Sequence, residues 1–423
     1  MSGIVDKFGK AVYSLLQKDP EKARCLLSLG FRAKRLEYMY FPGKMNKASR
    51  MAASCTSKSM IDALTHPGDS AIVSLFTPSE ILHSVGITPY SCEGLGCFLS
   101  GAFLERPFLE YAEREGISDT FCSYHKTFIG AAEEKLLPKP LFIISTSLAC
   151  DANALTFRRL SNHFDVPHFV IDVPYEISED SVSFVESEMR MMKKFVEENT
   201  KRKVDDELLS QILARSQRSM DYYERYLTLS KGKSIMRDLN DGMFACFMLH
   251  NLLGTRESEE YARKCVDVAG KASPSSAVNL LWIHSTPFWM ENVRAITDFN
   301  ENVAVVGCDM AYEGLLKADC SNPYRAMAER LVYSAFNGPV MRRIDRGINE
   351  ARRLGADGAV WFCHWGCKHT LGGATLAKRK FEEAGIPLLI LPGDGCDRRH
   401  GGYGQVETRL GAFVEMLSER RGS

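Results

Sequence analysis

The amino-acid sequence predicts an α/β protein in which two parallel-sheet halves flank a helical segment. Short apolar runs bounded by turn signals stand at 71–76, 141–144, 280–283 and 358–362, and stretches with helical spacing separate them. Strands that alternate with helices imply parallel sheets with right-handed crossovers. A unit of strand, cysteine-bearing loop, helix and strand occurs in each half, which favours an internal duplication.

Length, composition and charge narrow the class of protein. The 423 residues suffice for about two to three domains. The 53 Lys and Arg residues balance the 53 Asp and Glu residues, which excludes a strongly basic nucleic-acid binder and gives no reason to expect a membrane surface. The apolar runs are far shorter than the roughly 20 residues of a membrane helix, and the N-terminus has no apolar signal segment. We therefore predict a cytoplasmic protein without nucleic-acid or membrane partners.

The pattern divides the chain into four segments. A polar N-terminal helical extension has Val12, Leu15 and Leu16 at the spacing of one or two amphipathic helices, and a first α/β domain follows it. The next segment is rich in Glu, Lys, Met and Leu at helical spacing, and a second α/β domain ends the chain. The four segments cover residues 1–65, 66–177, 178–275 and 276–423.

Each α/β domain contains β–α–β units. In the first unit, Pro78 and Glu80 are helix-start signals that follow a strand, and Gly86 ends the helix. Near the end of each half, Pro167 or Pro387 leads into a further strand. The predicted strands cover residues 71–76, 87–90, 141–144, 166–174, 280–283, 303–309, 358–362 and 388–391, and a last helix covers 408–417.

The thirteen cysteines are the unusual feature of the composition. Disulfides are not expected in a reducing compartment, so each cysteine is either a small buried residue or a thiolate ligand. Cys150 follows a predicted strand and precedes a helix, and Cys363 and Cys367 stand at the equivalent place in the other half. Ligands collect at the carboxyl ends of parallel strands, where helix N-termini favour thiolates. This position favours cluster or metal ligation over core packing for Cys150 and Cys367.

The other cysteines have weaker positional arguments. Cys122 lies in a polar run near a lysine, which favours a thiolate, and its surroundings leave ligand and core roles equally open. Cys92 and Cys97 are separated by a glycine-containing run that predicts either a loop around a cluster or a plain turn. Cys308 follows a strand and Cys396 lies in a loop, whereas we expect structural roles for five others. These are Cys25, Cys55, Cys246, Cys265 and Cys320.

Several familiar motifs are missing from the sequence. There is no C-x₂-C pair, so zinc ribbons and ferredoxin-type sites are not indicated. There is no Walker A motif, no G-x-G-x-x-G after a strand and no H-E-x-x-H, so nucleotide and zinc-protease sites are not indicated either. His364 and His369 flank Cys367, and we expect them to support a ligand rather than to act as one.

Several runs together resemble a known family. Residues 361–368 read Trp-Phe-Cys-His-Trp-Gly-Cys-Lys, and Gly385-Ile-Pro, Gly393-Asp, Gly404-Gln and Thr408-Arg follow in order. Pro78-Ser-Glu-Ile-Leu, Cys122-Ser and Cys150-Asp precede them. This series resembles the 2-hydroxyacyl-CoA dehydratase / benzoyl-CoA reductase family over about residues 70–420.

The resemblance implies two Rossmann-like domains that hold a [4Fe–4S] cluster between them. The matching ligand positions are Cys122, Cys150 and Cys367, and the fourth iron would be open to water or a thioester oxygen. Ser74 stands where many members have a cysteine. The chain also has surplus cysteines near the site, Cys92, Cys97, Cys308 and Cys363, so that Cys363 is a further candidate metal ligand. A related branch holds an 8Fe–9S double cubane with six cysteines, which three of these extras would complete.

The resemblance also implies a function. In the family an ATP-dependent iron–sulfur activator protein supplies one electron, which the cluster passes to a CoA thioester for radical dehydration or reduction, and a related second subunit or a homodimer completes the enzyme. Such an open cluster is expected to be oxygen-labile, as in anaerobic metabolism. Three alternatives stay open: a double-cubane reductase of small molecules, a non-catalytic electron-transfer or accessory subunit, and a cluster-free α/β protein.

Overall fold

A computed structural model describes residues 2–41, 43–400 and 403–422, and it contains two four-stranded parallel sheets. The first half comprises α1 (Ser2–Leu16), α2 (Pro20–Tyr40), α3 (Lys47–Thr65), β1 (Ser70–Val73), α4 (Glu80–Ser84), β2 (Thr88–Ser91), α5 (Cys92–Gly101), α6 (Glu105–Arg114), α7 (Ser123–Glu133), β3 (Ile143–Thr146), α8 (Ala152–Phe164) and β4 (His168–Ile171). The helical segment comprises α9 (Glu179–Thr200), α10 (Asp206–Leu229), α11 (Asp241–Leu249) and α12 (Arg256–Lys271).

The second half has its own sheet and helices. They are β5 (Val278–Ile283), α13 (Glu291–Thr297), β6 (Val303–Cys308), α14 (Asp309–Tyr312), α15 (Pro323–Val332), α16 (Val340–Leu354), β7 (Gly358–His364), α17 (Lys368–Leu371), α18 (Ala374–Glu383), β8 (Leu388–Gly393) and α19 (Tyr403–Gly422). The predicted fold class is confirmed, and every predicted strand lies within a few residues of an observed one.

The two sheets have the same strand order. The first runs β2-β1-β3-β4 and the second runs β6-β5-β7-β8, with all neighbours parallel. In each sheet the chain reverses its direction of travel between the two central strands, β1 and β3 or β5 and β7. Ligand sites in such sheets lie beyond the carboxyl ends of the strands at this reversal. The residues of the central strands are all buried, which explains why the sequence shows apolar runs rather than alternation.

The N-terminal region differs from the sequence-based expectation. It forms three helices rather than one or two, and α3 packs against α2, β2, α11 and α12. Most of α3 is buried, including Ala52, Ala53 and Met60. The reason is composition, because small residues such as Ala and Ser allow close helix packing without the strong apolar stripe by which a sequence reveals a buried helix.

The helical segment connects the two halves. Helix α9 packs against β4 and α15, α10 packs against α4 and α15, and α11 packs against α14. A buried ion pair adds to this connection, because Arg330 donates to both carboxylate oxygens of Glu80 over 2.7 and 2.8 Å and Ser216 donates over 2.9 Å. Burial opposes ionisation of Glu80, but the charge and hydrogen bonds of Arg330 hold its pKa below the usual value.

In the part of the chain that the structure describes, no helix has both the length and the hydropathy needed to cross a bilayer.

Candidate functional site

Three of the predicted cysteines lie at helix starts where the two halves meet. Cys122 directly precedes α7, Cys150 lies in the loop between β3 and α8, and Cys367 directly precedes α17. The loop that carries Cys367 lies against Cys122, because a Cβ atom on Gly366 would be 2.9 Å from the Cys122 nitrogen. Gly366 also has φ 82°, a backbone conformation that favours glycine. The loop therefore needs glycine at this position for two reasons.

The thiols of Cys122, Cys150 and Cys367 affect one another electrostatically. Burial raises the pKa of Cys122 well above its usual value, and Cys150 and then Cys367 add to the effect. Burial raises the pKa of Cys150 to about 12, with further contributions from Cys367 and Glu93. The structure thus brings the three thiols together from both halves. Cys122 and Cys150 therefore stay protonated until a bound cation stabilises their thiolates.

Cys363 has a different environment. It lies in β7, is 4% exposed, and packs in the core cluster that also contains Trp361 and Ala359. Burial raises its pKa to about 11, and the cysteine that adds to this effect is Cys367. The structure therefore places Cys363 near Cys367 but in the core, and its role as a ligand stays a prediction.

Two of the surplus cysteines lie on one helix of the first half. Cys92 and Cys97 lie in α5, so the expectation of a loop or turn between them is wrong. The helix forms because Ser91 caps it, accepting from the Gly94 N–H over 3.1 Å. Cys92 adjoins two of the three thiols, since Cys122 and Cys150 both affect its pKa.

Cys97 and a further cysteine, Cys396, pack in one small cluster with Cys122 and Tyr124. Both also interact electrostatically with Tyr124. Cys308 directly precedes α14, and its Sγ lies 3.5 Å from the His284 carbonyl oxygen. Ser74, at the position where the family often has cysteine, is fully buried and accepts from the Thr146 N–H over 3.0 Å. It therefore ties the ends of β1 and β3 together.

His364 is oriented to donate a hydrogen bond to Cys122. The Gly395 backbone N–H donates to His364 Nδ1 over 3.0 Å, so the neutral imidazole carries its proton on Nε2. That Nε2 lies 3.5 Å from Cys122 Sγ. Burial lowers the pKa of His364, although Asp394 and Asp397 oppose the shift, so the ring is neutral. The geometry therefore provides an N–H donor to the sulfur of a predicted ligand.

His125 lies between other thiols on the first-half side. Its Nδ1 is 2.9 Å from Thr156 Oγ1 and 3.7 Å from Cys92 Sγ, and its Nε2 is 4.0 Å from Cys150 Sγ. Burial lowers the pKa of His125 to about 3, so this ring is also neutral. Each half thus places a neutral imidazole against the sulfur atoms.

Glu93 is a half-buried carboxyl group that forms no ion pair with a Lys or Arg side chain of the described residues. Its Oε1 lies 3.8 Å from the neutral His125 Nε2, and its Oε2 is buried without a hydrogen-bond partner. Burial raises the pKa of Glu93 to about 7, although hydrogen bonds from its own backbone and from Leu75 oppose the shift. A carboxyl group with this pKa can accept or deliver a proton near neutral pH. Sequence reasoning missed Glu93 because a single glutamate beside a cysteine is not a distinctive pattern.

The carboxyl ends of β5 and β6 carry a charged network. Arg343 contacts Asp309 over 2.6 Å and donates to His369 Nδ1 over 2.8 Å. The His284 backbone N–H donates to Asp309 over 2.6 Å, and His284 has φ 82°. A left-handed conformation at a non-glycine residue costs about 1–3 kcal/mol and is concentrated at functional sites. These strand ends of the second half are therefore held by a rigid ion pair.

A single metal ion has no ready-made site. Among residues 2–41, 43–400 and 403–422, no three His, Cys, Asp or Glu side chains converge to hold one ion. A cluster has a different requirement, because each thiolate binds its own iron and the sulfur atoms need not converge on one point. The thiols of Cys122, which is buried, and of Cys150 and Cys367, which are half-buried, come from two halves and have N–H donors beside them, an arrangement that fits such a group.

The comparisons with known proteins decide the family. A family model described as "2-hydroxyglutaryl-CoA dehydratase, D-component" matches residues 74–417. The chain belongs to this family. The family resemblance read from the sequence is thereby confirmed, and the relatives are dehydratases and a reductase, so this is a family of lyases and reductases.

The relatives of this dehydratase-family chain are distant but cover most of it. The (R)-phenyllactyl-CoA dehydratase alpha subunit of Clostridium sporogenes is 22% identical over 81% of this chain and 88% of the relative. The alpha subunit of lactoyl-CoA dehydratase from Anaerotignum propionicum is 22% identical over 92% of this chain and 98% of the relative. A benzoyl-CoA reductase chain from Thauera aromatica is 21% identical over 73% of this chain and 79% of the relative.

Proposed function

We propose that this chain is the iron–sulfur subunit of a 2-hydroxyacyl-CoA dehydratase, with Cys122, Cys150 and Cys367 as ligands of a [4Fe–4S] cluster. The observation that carries the proposal is the meeting of these three thiols, one buried and two half-buried, from both halves of the molecule. Family membership supports it independently of the geometry.

The bound cluster would supply a low-potential electron and an open iron for the thioester oxygen. The protein supplies the surroundings. His364 donates its Nε2–H toward Cys122 Sγ, which stabilises negative charge on that sulfur. The buried side chains of Tyr124 and His125 exclude water from the same region. The exclusion of water strengthens the electrostatic stabilisation that the His364 N–H gives to the sulfur.

Glu93 is the residue best suited to move a proton. Because its pKa is about 7, both the protonated and the ionised form of Glu93 are populated at neutral pH. Its Oε2 has no hydrogen-bond partner among the described residues that would compete for the proton. In a dehydration, hydrogen leaves one carbon of the acyl group and hydroxide leaves its neighbour. We assign to Glu93 Oε2 the proton transfer that accompanies these departures.

The partners follow from the same proposal. The relatives include both an alpha and a beta subunit of one dehydratase, and the beta subunit is 29% identical over 30% of this chain. We propose that the chain pairs with a related second subunit or with a second copy of itself, acts on an acyl-CoA, and receives electrons from an ATP-dependent iron–sulfur activator. The lack of a Walker A motif is consistent with a separate protein that uses ATP.

Iron and sulfide analysis under anaerobic conditions tests this proposal. About four irons per chain, with turnover of a 2-hydroxyacyl-CoA when reductant and activator are added, is the expected result. About eight irons would favour the double-cubane reductase instead, for which the position of Cys92 beside Cys122 and Cys150 provides a further thiol. Iron-bound protein that never turns over a thioester would indicate a carrier, and protein without iron would refute the proposal.

A further inference from the structure

A large apolar cavity lies between the N-terminal helices and the first domain. Its volume is about 590 Å³, and helices α1, α2, α3, α5 and α11 contribute to its walls. Most of its lining is apolar, and six residues dominate it. They are Phe8, Phe31, Phe98, Met243, Phe244 and Phe288. Pockets of about 300–1,000 Å³ accommodate drug-sized ligands.

The mouth of the cavity lies between α1 and α2. Ile4 borders it and is 76% exposed, which is unusual for a large apolar side chain. Helix α1 packs closely against α2 at Gly30. A Cβ atom at this position would lie 2.3 Å from the Phe8 ring, so the close approach requires glycine. The cavity is therefore bounded on the solvent side by helices of the N-terminal extension.

One wall of the cavity lies close to the proposed site, because Cys97 also packs against Cys122. Cys97 lines the cavity and lies four residues after Glu93 on α5, so both side chains project from the same face of this helix. Glu93 affects the pKa of Cys97, which shows that the two groups are close. Phe247, another lining residue, would be 3.0 Å from a Cβ atom on Gly94. The cavity thus ends one helical turn from the proposed proton-transfer group.

The charges on the lining residues disfavour an anionic occupant. Lys34 is the one cation among the described lining residues, and its Nζ contacts Glu37 Oε1 over 2.8 Å. The same ammonium group lies over the Tyr38 ring. A carboxylate at the far end of a ligand would therefore find no unpaired positive charge in this cavity, and its burial would be unfavourable.

We propose that this cavity holds the side chain of the substrate acyl group, and that the acyl group is bulky, apolar and uncharged, either aryl or branched alkyl. The inference rests on the proposed function, because it takes the carbons that react to lie beside Glu93. The rest of the acyl group then extends along α5, past Cys97, toward the N-terminal helices. A short or dicarboxylic acyl group would leave the aromatic walls unfilled or would bury an unpaired charge.

Calorimetric binding of non-reacting thioesters to the cluster-containing protein tests this inference. The probes are acetyl-, butyryl-, 4-methylpentanoyl-, 3-phenylpropionyl- and glutaryl-CoA, which lack the 2-hydroxyl group and therefore cannot be dehydrated. Burial of each added methylene is expected to lower Kd by about fourfold. We expect 3-phenylpropionyl-CoA and 4-methylpentanoyl-CoA to bind far more tightly than acetyl-CoA or glutaryl-CoA.

Two filling variants and their controls make the test specific. Gly101→Phe adds a ring to the wall of the cavity, where the nearest atom to a new Cβ is 3.9 Å away, and Gly270→Phe makes the same change near the end of α12 in open space. Ala33→Trp fills the mouth, and Leu29→Trp alters an exposed position of the same helix. We expect both filling variants to abolish the dependence of Kd on the size of the acyl group, and we expect both control variants to retain this dependence.

The outcomes separate this inference from the proposed function. A Kd that does not vary with the acyl group, while thioesters still bind and are turned over, would overturn the inference and leave the proposed function intact. The same holds if Gly101→Phe and Ala33→Trp leave the dependence of Kd on the size of the acyl group unchanged. A protein without iron that binds none of the thioesters would refute both.

Discussion

The two halves of the molecule share a strand order and differ in what they place at the carboxyl ends of their strands. The first half contributes two of the three thiols and an unpaired carboxyl group, Glu93, among hydroxyl groups such as that of Ser74. The second half contributes one thiol and a network of imidazoles and an ion pair, in which Arg343 holds Asp309. The shared topology therefore determines where a site lies. In the proposed function, the side chains of the first half take part in the reaction and those of the second half position it.

The largest effect is expected when either half loses a thiol. Cys150→Ser, Cys122→Ser and Cys367→Ser should each reduce iron per chain nearly to zero, because a hard alkoxide replaces a soft thiolate poorly. Iron and sulfide analysis of anaerobically purified protein measures this. Cys25→Ser, at an exposed position of α2, is the matched control. If the control lost as much iron as Cys367→Ser, the ligand assignment would be wrong.

The next largest effect is expected from a variant of the first half that keeps the cluster ligands but loses the group proposed to transfer a proton. Glu93→Gln should keep its iron but lower kcat by about 10²–10⁴, the usual contribution of a positioned acid or base. Glu188→Gln serves as the control, because Glu188 is a buried carboxyl group on α9 whose pKa burial also raises. Equal activity of the two variants would remove Glu93 from the mechanism.

The pH profile sharpens the same assignment. If the rate-limiting proton transfer needs Glu93 as a base, activity rises with pH through about 7, the pKa to which burial raises this group. The sign follows because the carboxylate form increases above that pKa. Glu93→Gln should remove this limb of the profile, while Glu188→Gln should retain it.

A smaller effect is expected from the second half. His364→Leu removes the N–H that points at Cys122 Sγ, so the cluster should become harder to reduce by roughly 40 mV, which corresponds to about 1 kcal/mol for one electron. His364→Gln retains an N–H donor and should shift the potential less. A redox titration followed by electron paramagnetic resonance measures both. An unchanged potential in His364→Leu would show that this hydrogen bond does not reach the cluster.

The smallest effect is expected at Cys363. Cys363→Ser should leave iron per chain unchanged, because this side chain packs in the core with Trp361. Cys265→Ser is the control, since Cys265 is buried in the same core cluster to the same 4% exposure. A loss of iron in Cys363→Ser alone would indicate a second cubane with its own thiolates.

The sequence by itself determined the fold class and the family, and the physical reason is that both depend on local patterns. Apolar runs such as that at 358–362 are visible because a strand covered on both faces needs them. The run around Cys367 carried the family resemblance for the same reason, since its residues are adjacent in the chain. Expectations failed where the local signal was weak: the glycines of α5 concealed a capped helix, and the small residues of α3 concealed a buried one.

Only the tertiary structure decided which groups meet. Cys122 and His364 are 242 positions apart, and no local pattern relates them, yet a 3.5 Å contact joins them. Glu93 acquires its raised pKa from burial by distant segments, so its isolated sequence context resembles that of any surface glutamate. The cavity likewise exists because α1, α5 and α11 meet in space. Proximity and desolvation are properties of the folded chain, which is why the sequence offered candidate cysteines but not the histidine and glutamate side chains that surround them.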